Sequence, residues 1–401
     1  MKKPQGADRI EEVIAAMRKG RMVIMTDDAQ RENEGDLVLA ARSVTPALIN
    51  FMAREGRGLI CAPVSQARAE KMGLSRMVPR NEERFGTDFT VSVDAAKGIT
   101  TGISAHDRAA TLRVLGKVSP RAEDLVQPGH IFPVRAKEGG VLVRAGHTEA
   151  AVDLAKLAGL GDAAVICEIL NPDGSMARWA DLIEFKKKHG LKLGTIQDLI
   201  EYRRRKEKLV EREQVVKLPT DYGMFDLYLY RTVTDGGHHL ALVKGKPKAK
   251  DAVLVRVHSE CLTGDVFASR RCDCGNQLHD ALRRISKEKN GVLVYMRQEG
   301  RGIGLPAKIQ AYRLQEKGLD TVEANRRLGF SADLREYGIG AQILTDLGVR
   351  RMRLLTNNPK KVVGLAGYGL ELVDQVPIKT KPNAHNRKYL ATKKKKMGHQ
   401  L

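Results

Sequence analysis

Three of the five cysteines fall within fourteen residues, as Cys261-Leu-Thr-Gly-Asp…Cys272-Asp-Cys274-Gly, directly behind Arg256-Val-His-Ser-Glu260. Three thiols at a C-x10-C-x-C spacing can occupy three corners of a tetrahedral zinc and leave the fourth for water, provided the intervening loop returns on itself. An open corner separates a catalytic zinc from a structural one. Two other readings stand beside it: three ordinary cysteines, or a structural site whose fourth ligand is His258 or His279. An odd number of cysteines, three of them crowded together, suits a reducing cytosol and a metal better than a disulfide framework.

With 401 residues the chain is long enough for two domains, each with its own core. No apolar run approaches the roughly 18–20 residues that span a bilayer. The start, MKKPQGADRI, has no apolar stretch of the kind a secretory signal carries, so the expectation is a cytoplasmic protein without a membrane partner. The formal charge of +21 is uneven: residues 1–205 hold 32 Lys/Arg against 27 Asp/Glu, and residues 206–401 hold 37 against 21. A basic second half implies an anionic partner. Nucleic acid is disfavoured, because helix-turn-helix, RNA-stacking and two-plus-two zinc-finger patterns are missing. A polyphosphate substrate remains. Part of the excess, Lys393–Lys396, reads as a solvated tail.

The charged run Arg203-Arg-Arg-Lys-Glu-Lys-Leu-Val-Glu-Arg-Glu-Gln214 marks the expected boundary, giving domains at 1–205 and 206–401. A helix is expected near Asp8–Arg18, where Ile10, Val13, Ile14 and Met17 form one stripe closed by Gly20, and another over Ile196–Glu207. Strands are expected at Met22–Met25, Val141–Val143, Ala164–Leu170, Val253–Val257, Gly291–Tyr295 and Met352–Leu355. The alternation predicts an α/β (α+β) chain: two mixed domains in tandem, each a sheet packed with helices, with sites at strand ends.

In the first half, Arg31-Glu-Asn-Glu-Gly-Asp36 places carboxylates at 32, 34 and 36. On an extended backbone they share one face and suit a hard cation such as Mg2+; an exposed acidic turn explains them as well. Val141-Leu-Val-Arg144-Ala-Gly146-His147-Thr148-Glu149 reads as strand, tight loop and helix, with Thr148 as N-cap and Ala151, Leu154 and Ala158 buried. A helix start beside Arg144 is a natural phosphate site, and His147 can ligate the same metal as Glu32. Glu168, inside an apolar strand, has to be paired or else titrate in a range useful for acid–base work. His130, in Gly129-His-Ile-Phe-Pro133, is a second proton carrier. Cys61 reads as a buried small hydrophobe.

RENEGD, TTGISAHDR, GHIFP, RAGHTEAAVDLAKLAG and EILNPDGSMAR together resemble 3,4-dihydroxy-2-butanone-4-phosphate synthase across residues 7–205. The resemblance implies conversion of D-ribulose 5-phosphate to the butanone phosphate plus formate, with Mg2+ (or Mn2+) on Glu32 and His147. It also implies that Arg31, Asp36 and the loop Arg144, Ala145, Gly146, His147 and Thr148 hold the sugar phosphate, with His130 and Glu168 moving protons. Glu32 and Glu168 count among the substrate contacts too.

In the second half, Glu299-Gly-Arg-Gly-Ile-Gly304 follows a strand and precedes a helix with Pro306 in its first turn. Its glycines let backbone approach phosphates and Arg301 adds charge, although a plain tight turn explains them equally. Thr321-Val-Glu-Ala-Asn325, Leu328–Leu344 and Leu354-Leu-Thr356-Asn-Asn-Pro-Lys-Lys361 complete the pattern. Asp333 and Arg335 are two apart, so both face a substrate only from a loop or an irregular helix entry.

These segments, with the cysteine array, resemble GTP cyclohydrolase II across residues 218–401. The resemblance implies zinc on Cys261, Cys272 and Cys274, with Mg2+ aiding the pyrophosphate. It places Arg256, Val257, His258, Ser259, Glu260, Gln277, Glu299, Gly300, Arg301, Thr321, Thr356 and Lys361 against GTP. Asp333 would accept a proton, Tyr312 would assist beside the zinc, and Arg335 would attack the α-phosphorus. An always-protonated Arg is a poor nucleophile, so charge stabilisation is the rival role for Arg335. His238-His239 departs from the family, which more often has an acid before the His. The resemblance further implies a homodimer. Two alternatives are a chain with one degenerate half, and a basic RNA-binding or regulatory protein on an enzyme-like frame.

Overall fold

The computed structural model describes residues 6–28, 31–83, 85–330, 337–358, 369–380, 382–387 and 389–391. The chain divides into two compact units between Lys206 and Glu207.

The first unit is built on a mixed sheet. Its strands are β1 (Val23–Thr26), β2 (Gly35–Ala40), β3 (Cys61–Val64), β4 (Asp88–Phe89), β5 (Val93–Ala95), β6 (Leu125–Arg135), β7 (Ala164–Glu168) and β8 (Lys192–Thr195). They run in the order β4-β6-β3-β7-β2-β1-β8, with β5 paired to β6. Side chains alternate across a strand, and both faces are apolar. Ile24, Leu37, Leu39, Val165 and Cys167 belong to one core cluster; Val23, Met25, Val38, Ala40 and Ile166 belong to the other. Helices cover both sides, which explains why β2 is buried throughout. The same alternation carries Asp36 and Glu168 to the side of the helix His147–Leu157, and the two are direct partners across β2 and β7.

Two local expectations for this unit are overturned. Val141–Val143 is not a strand: Gly140–Leu142 is a 3-10 turn, because Gly139 and Gly140 take left-handed φ of 86° and 62° and the Asp153 carboxylate accepts the Val141 N–H at 2.8 Å. Three β-branched and apolar residues are a weak signal against that geometry. Thr148 is not the N-cap: the helix starts at His147 behind Gly146, and Thr148 is buried. This helix is buried nearly all round, from His147 to Ala155.

The second unit has strands β9 (Val210–Thr220), β10 (Gly223–Thr232), β11 (His238–Lys244), β12 (Ala252–Ser259), β13 (Gly291–Met296), β14 (Arg351–Leu355) and β15 (Glu371–Val376). Their order is β15-β14-β12-β13-β11-β10-β9. β12, β13, β14 and β15 are parallel neighbours, so β12, β13 and β14 end on one side, at Ser259, Met296 and Leu355. The cysteine array, the glycine loop and Thr356 follow those three ends, the usual place for a site in an open parallel sheet. Leu254, Leu293, Ala281 and Ile285 form the core beneath the helix Cys274–Ser286. No helix among the described residues is long and apolar enough to cross a membrane.

Candidate functional sites

In the first unit the loop between β1 and β2 is organised by Asp27, whose buried carboxylate accepts the backbone N–H of Glu32 at 3.0 Å and of Glu34 at 2.9 Å. Arg31 bridges Asp27 (3.0 Å) and Glu32 (2.7 Å) and lies over the Phe85 ring. Asn33 takes a left-handed φ of 58°, which breaks the extended backbone on which residues 32, 34 and 36 would share a face. Glu32 and Asp36 instead flank His147 from two sides, at 3.5 Å from Nδ1 and 3.9 Å from Nε2. Asp27, Glu32 and His147 each offer a ligand atom within 4.8 Å of the others.

The electrostatics are those of a cation-hungry pocket. Burial first, then the Glu168 and Glu32 charges, push Asp36 up to about 7 despite the pull of His147. Burial alone would lower His147, but Asp36, Glu32 and Asp27 outweigh it and raise it to about 9. His147 Nε2 and Asp36 Oδ1 have no hydrogen-bond partner among the described residues. Buried polar atoms left in that state are costly, and a hard cation with its waters fits these donors.

Arg144 donates to Glu149 (2.6 Å), to Thr87 Oγ1 (3.0 Å) and to the Phe85 carbonyl (3.2 Å). A Cβ at Gly146 would press on the side-chain ends of this Arg144–Glu149 pair and push them aside. Ala145 is exposed beside the helix start, and Gly146 caps it without a side chain, leaving first-turn N–H groups open. Glu168, at the end of β7, accepts the Leu59 N–H at 2.8 Å. His130 lies on β6, two strands from β7 and three from β2: its Nδ1 pairs with Asp94 at 2.7 Å, and the same carboxylate accepts its backbone N–H at 3.0 Å. Cys61 is buried in the core, its thiol pushed well up by that burial.

In the second unit, Cys261, Cys272 and Cys274 place their sulfurs within 4.8 Å of one another. Cys261 and Cys272 are 3.7 Å apart, far beyond a disulfide bond and near the roughly 3.8 Å that two Zn–S bonds of about 2.3 Å subtend at a tetrahedral centre. A Cβ at Gly264 would sit 2.9 Å from Cys272 Sγ and 3.1 Å from Cys261 Sγ, so the turn is shaped around the thiols. The donor set and the cradle both fit zinc. Neither histidine completes the group. His258 Nε2 meets Asp265 at 3.1 Å, with Tyr295 stacked on its ring, and His279 pairs with Tyr222 at 2.9 Å. Hydrogen bonds from Cys272 and Cys274, with Lys308 nearby, hold the Cys261 thiol well down, while its bond to Cys261 pushes Cys272 up to about 11.

These cysteines line a cavity together with Arg256, His258, Ser259, Glu260, Gln277, Glu299, Gly300, Tyr312, Thr321 and Thr356. Arg256 is buried and braces the wall, donating to the Leu355 carbonyl at 2.8 Å and to Gln277 at 2.7 Å. Val257 points to the other side of the sheet, against Gly340, and is not on the lining. The glycine loop turns with left-handed φ at Gly300, Gly302 and Gly304 (63°, 93° and 81°), a conformation that favours glycine at each. Asp333, Arg335 and Lys361, and the side chain of Arg301, lie outside the described residues. Sequence reasoning missed Asp27, Asp94, Asp265 and Lys308. Asp27 heads the acidic loop and Asp265 closes the first cysteine segment, but nothing in their spacing says which polar groups they meet.

Residues 11–202 match the family 3,4-dihydroxy-2-butanone 4-phosphate synthase, and residues 211–377 match GTP cyclohydrolase II. The chain is 58% identical over 395 residues to the riboflavin biosynthesis protein RibBA of Chlorobium phaeovibrioides, covering 98% of this chain and 96% of that one. It is also 58% identical to the protein of that name from Aquifex aeolicus, covering 97% of each. Among solved structures, RibBX of A. baumannii, a two-domain 3,4-dihydroxy-2-butanone 4-phosphate synthase, aligns with a TM-score of 0.72 at 42% identity, covering 93% of this chain and all of that one.

Proposed function

The chain belongs to the RibBA family of riboflavin biosynthesis, bifunctional enzymes that join a 3,4-dihydroxy-2-butanone-4-phosphate synthase to a GTP cyclohydrolase II, and on that premise we propose how each half works. The first unit takes D-ribulose 5-phosphate to the butanone phosphate and formate. The second takes GTP to 2,5-diamino-6-(5-phosphoribosylamino)pyrimidin-4(3H)-one, formate and pyrophosphate.

In the first unit, Glu32 and His147 hold Mg2+ or Mn2+, which when bound polarises adjacent sugar oxygens. Asp27 keeps the Glu32 loop closed on it. The open N–H groups at the His147 helix start, with Arg31 and Arg144 alongside, receive the phosphate and sugar hydroxyls. Asp36 lies against the metal group, and Glu168 beside it takes and returns protons during enolisation. His130, oriented by Asp94, is the second proton carrier. Its place on β6, three strands from the β2 that carries Asp36, fits a site to which a second copy contributes, in a homodimer.

In the second unit the observation that carries the reading is the thiol triad, with its 3.7 Å sulfur separation, opening onto the same cavity as Glu299, Gly300, Thr321 and Thr356. Zinc held there would supply an acidified water for hydrolysis at guanine C8. Gln277 and Arg256 form the wall against which the base rests, and the glycine loop turns its backbone toward the phosphates, aided by Mg2+ and Lys361. Tyr312, bonded to Thr263 at 3.1 Å, steadies the zinc side of the cavity. Asp333 accepts a proton, and Arg335 acts on the α-phosphate, as nucleophile or as a stabilising charge.

Formate release with GTP alone, and then with ribulose 5-phosphate alone, tests the whole reading. Formate from both is expected; formate from only one means a degenerate half, and formate from neither, with metals supplied, removes the enzymatic reading. Cys272→Ser should lose zinc and the GTP reaction while keeping the sugar reaction.

A further inference from the structure

Lys308 is a buried cation in the wall of the cysteine site. It lies on the helix Gly304–Glu316, 7% exposed, and a lysine is almost never that buried without partners. Its ammonium has three, one for each N–H. It donates to Cys261 Sγ at 3.2 Å, to Thr263 Oγ1 at 3.0 Å and to Glu299 Oε1 at 2.8 Å. It also stands 5.6 Å from the centre of the Tyr312 ring. Glu299 is fixed in turn, since its other oxygen accepts the Leu262 N–H at 2.6 Å, next to Cys261. One ammonium thereby ties the glycine loop to the first cysteine.

Zinc with three thiolates carries one net negative charge, and buried Glu299 adds a second. Charges in such a place need a partner inside the site, because water cannot screen them. Among the described residues, Lys308 is the cation in hydrogen-bond reach of a triad sulfur. An N–H donor on a thiolate also withdraws electron density from the sulfur, which keeps a bound metal electrophilic. We infer that Lys308 is a positioning residue for the GTP reaction, its charge compensating the three-thiolate centre through Cys261 while it clamps Glu299 at the cavity wall. The inference rests on the zinc reading proposed above.

The test uses the full chain with Lys308→Gln, which keeps a polar donor without the charge, and Lys308→Arg, which keeps the charge. Zinc affinity is measured by chelator competition, and the thiolate-to-metal absorption of the Co2+-loaded protein is recorded. Lys308→Gln should weaken zinc by about 10–100-fold, the usual cost of losing a partner that supports a metal ligand. Its Co2+ charge-transfer band should move to longer wavelength as the sulfur becomes more electron-rich, and kcat with GTP should fall more than KM changes. Lys308→Arg should hold zinc within about threefold of the parent chain. Parent-like zinc affinity and spectrum in Lys308→Gln would overturn the inference, and so would equal zinc loss in both variants. A parent chain that binds no zinc would instead remove the underlying reading. Should Lys308→Gln fail to fold, as judged by circular dichroism, the Arg variant still decides: zinc loss with an unchanged fold counts against the role of charge.

Discussion

At Gly58 the Glu168 residue leaves no room for a methyl group: a Cβ would lie 2.5 Å from its carbonyl oxygen and 2.6 Å from its Oε2. Gly58→Ala should therefore displace the carboxylate and cut the sugar-phosphate reaction by about 10–100-fold, since misplacement by an ångström is enough for such losses. Formate release from GTP by the same variant should be unchanged; equal loss of both would mean a global defect. Gly264→Ala makes the matching case in the other unit, where the added carbon meets Cys272 and Cys261, and zinc content by metal analysis should drop below one per chain. Neither glycine announces this in sequence. Cysteines and acids are legible because their chemistry is uncommon at close spacing, whereas Gly58 is small because of Glu168, more than a hundred positions away, and Gly264 because its loop folds the nearby thiols onto it.

Strands that run into motifs were legible as elements. β12 and β13 lie within one or two residues of the expected strands, because a strand buried on both faces is apolar along most of its length, and β14 starts one residue before the expected Met352–Leu355. Val141–Val143 was misread because two left-handed glycines and a distant carboxylate decide its shape. β11 carries a consequence for stability. His239 is buried and accepts the Arg297 N–H on Nδ1 at 3.1 Å, and burial, with the Arg297 and His238 charges, lowers it to about 4. A depressed folded-state value means its contribution is complete above the unfolded value near 6.5 and is lost as the pH falls toward 4. The loss is on the order of 3 kcal/mol across that window. His239→Asn, which can keep the acceptor without the proton site, should flatten the decline in denaturant midpoint of the second unit between pH 6.5 and 4. An unchanged slope would assign the acid sensitivity elsewhere.

Across the whole molecule, charge separates the two reactions. The second half carries an excess of sixteen positive charges and the first an excess of five. Added salt screens such fields. KM for GTP should rise more steeply with ionic strength than KM for ribulose 5-phosphate, which initial rates from about 50 to 500 mM salt would show. Equal slopes would mean the basic surplus lies away from the nucleotide's approach. His147→Ala and Cys272→Ser should each abolish one formate release and spare the other, because each group of side chains that could hold a metal is assembled within a single unit. The sequence by itself determined the kind of fold, the family and the chemical groups in play, since apolar periodicity and clustered ligands are local properties of the chain. Tertiary structure alone decided which groups meet: Asp27 beneath Glu32, Asp36 across from Glu168, Asp265 under His258, and Lys308 beside Cys261. Those pairings depend on strand register, helix placement and the way loops fold back: Asp36 meets Glu168 across β2 and β7, Lys308 reaches Cys261 from 47 positions away, and Asp27 and Asp265 reach partners five and seven positions away through their loops.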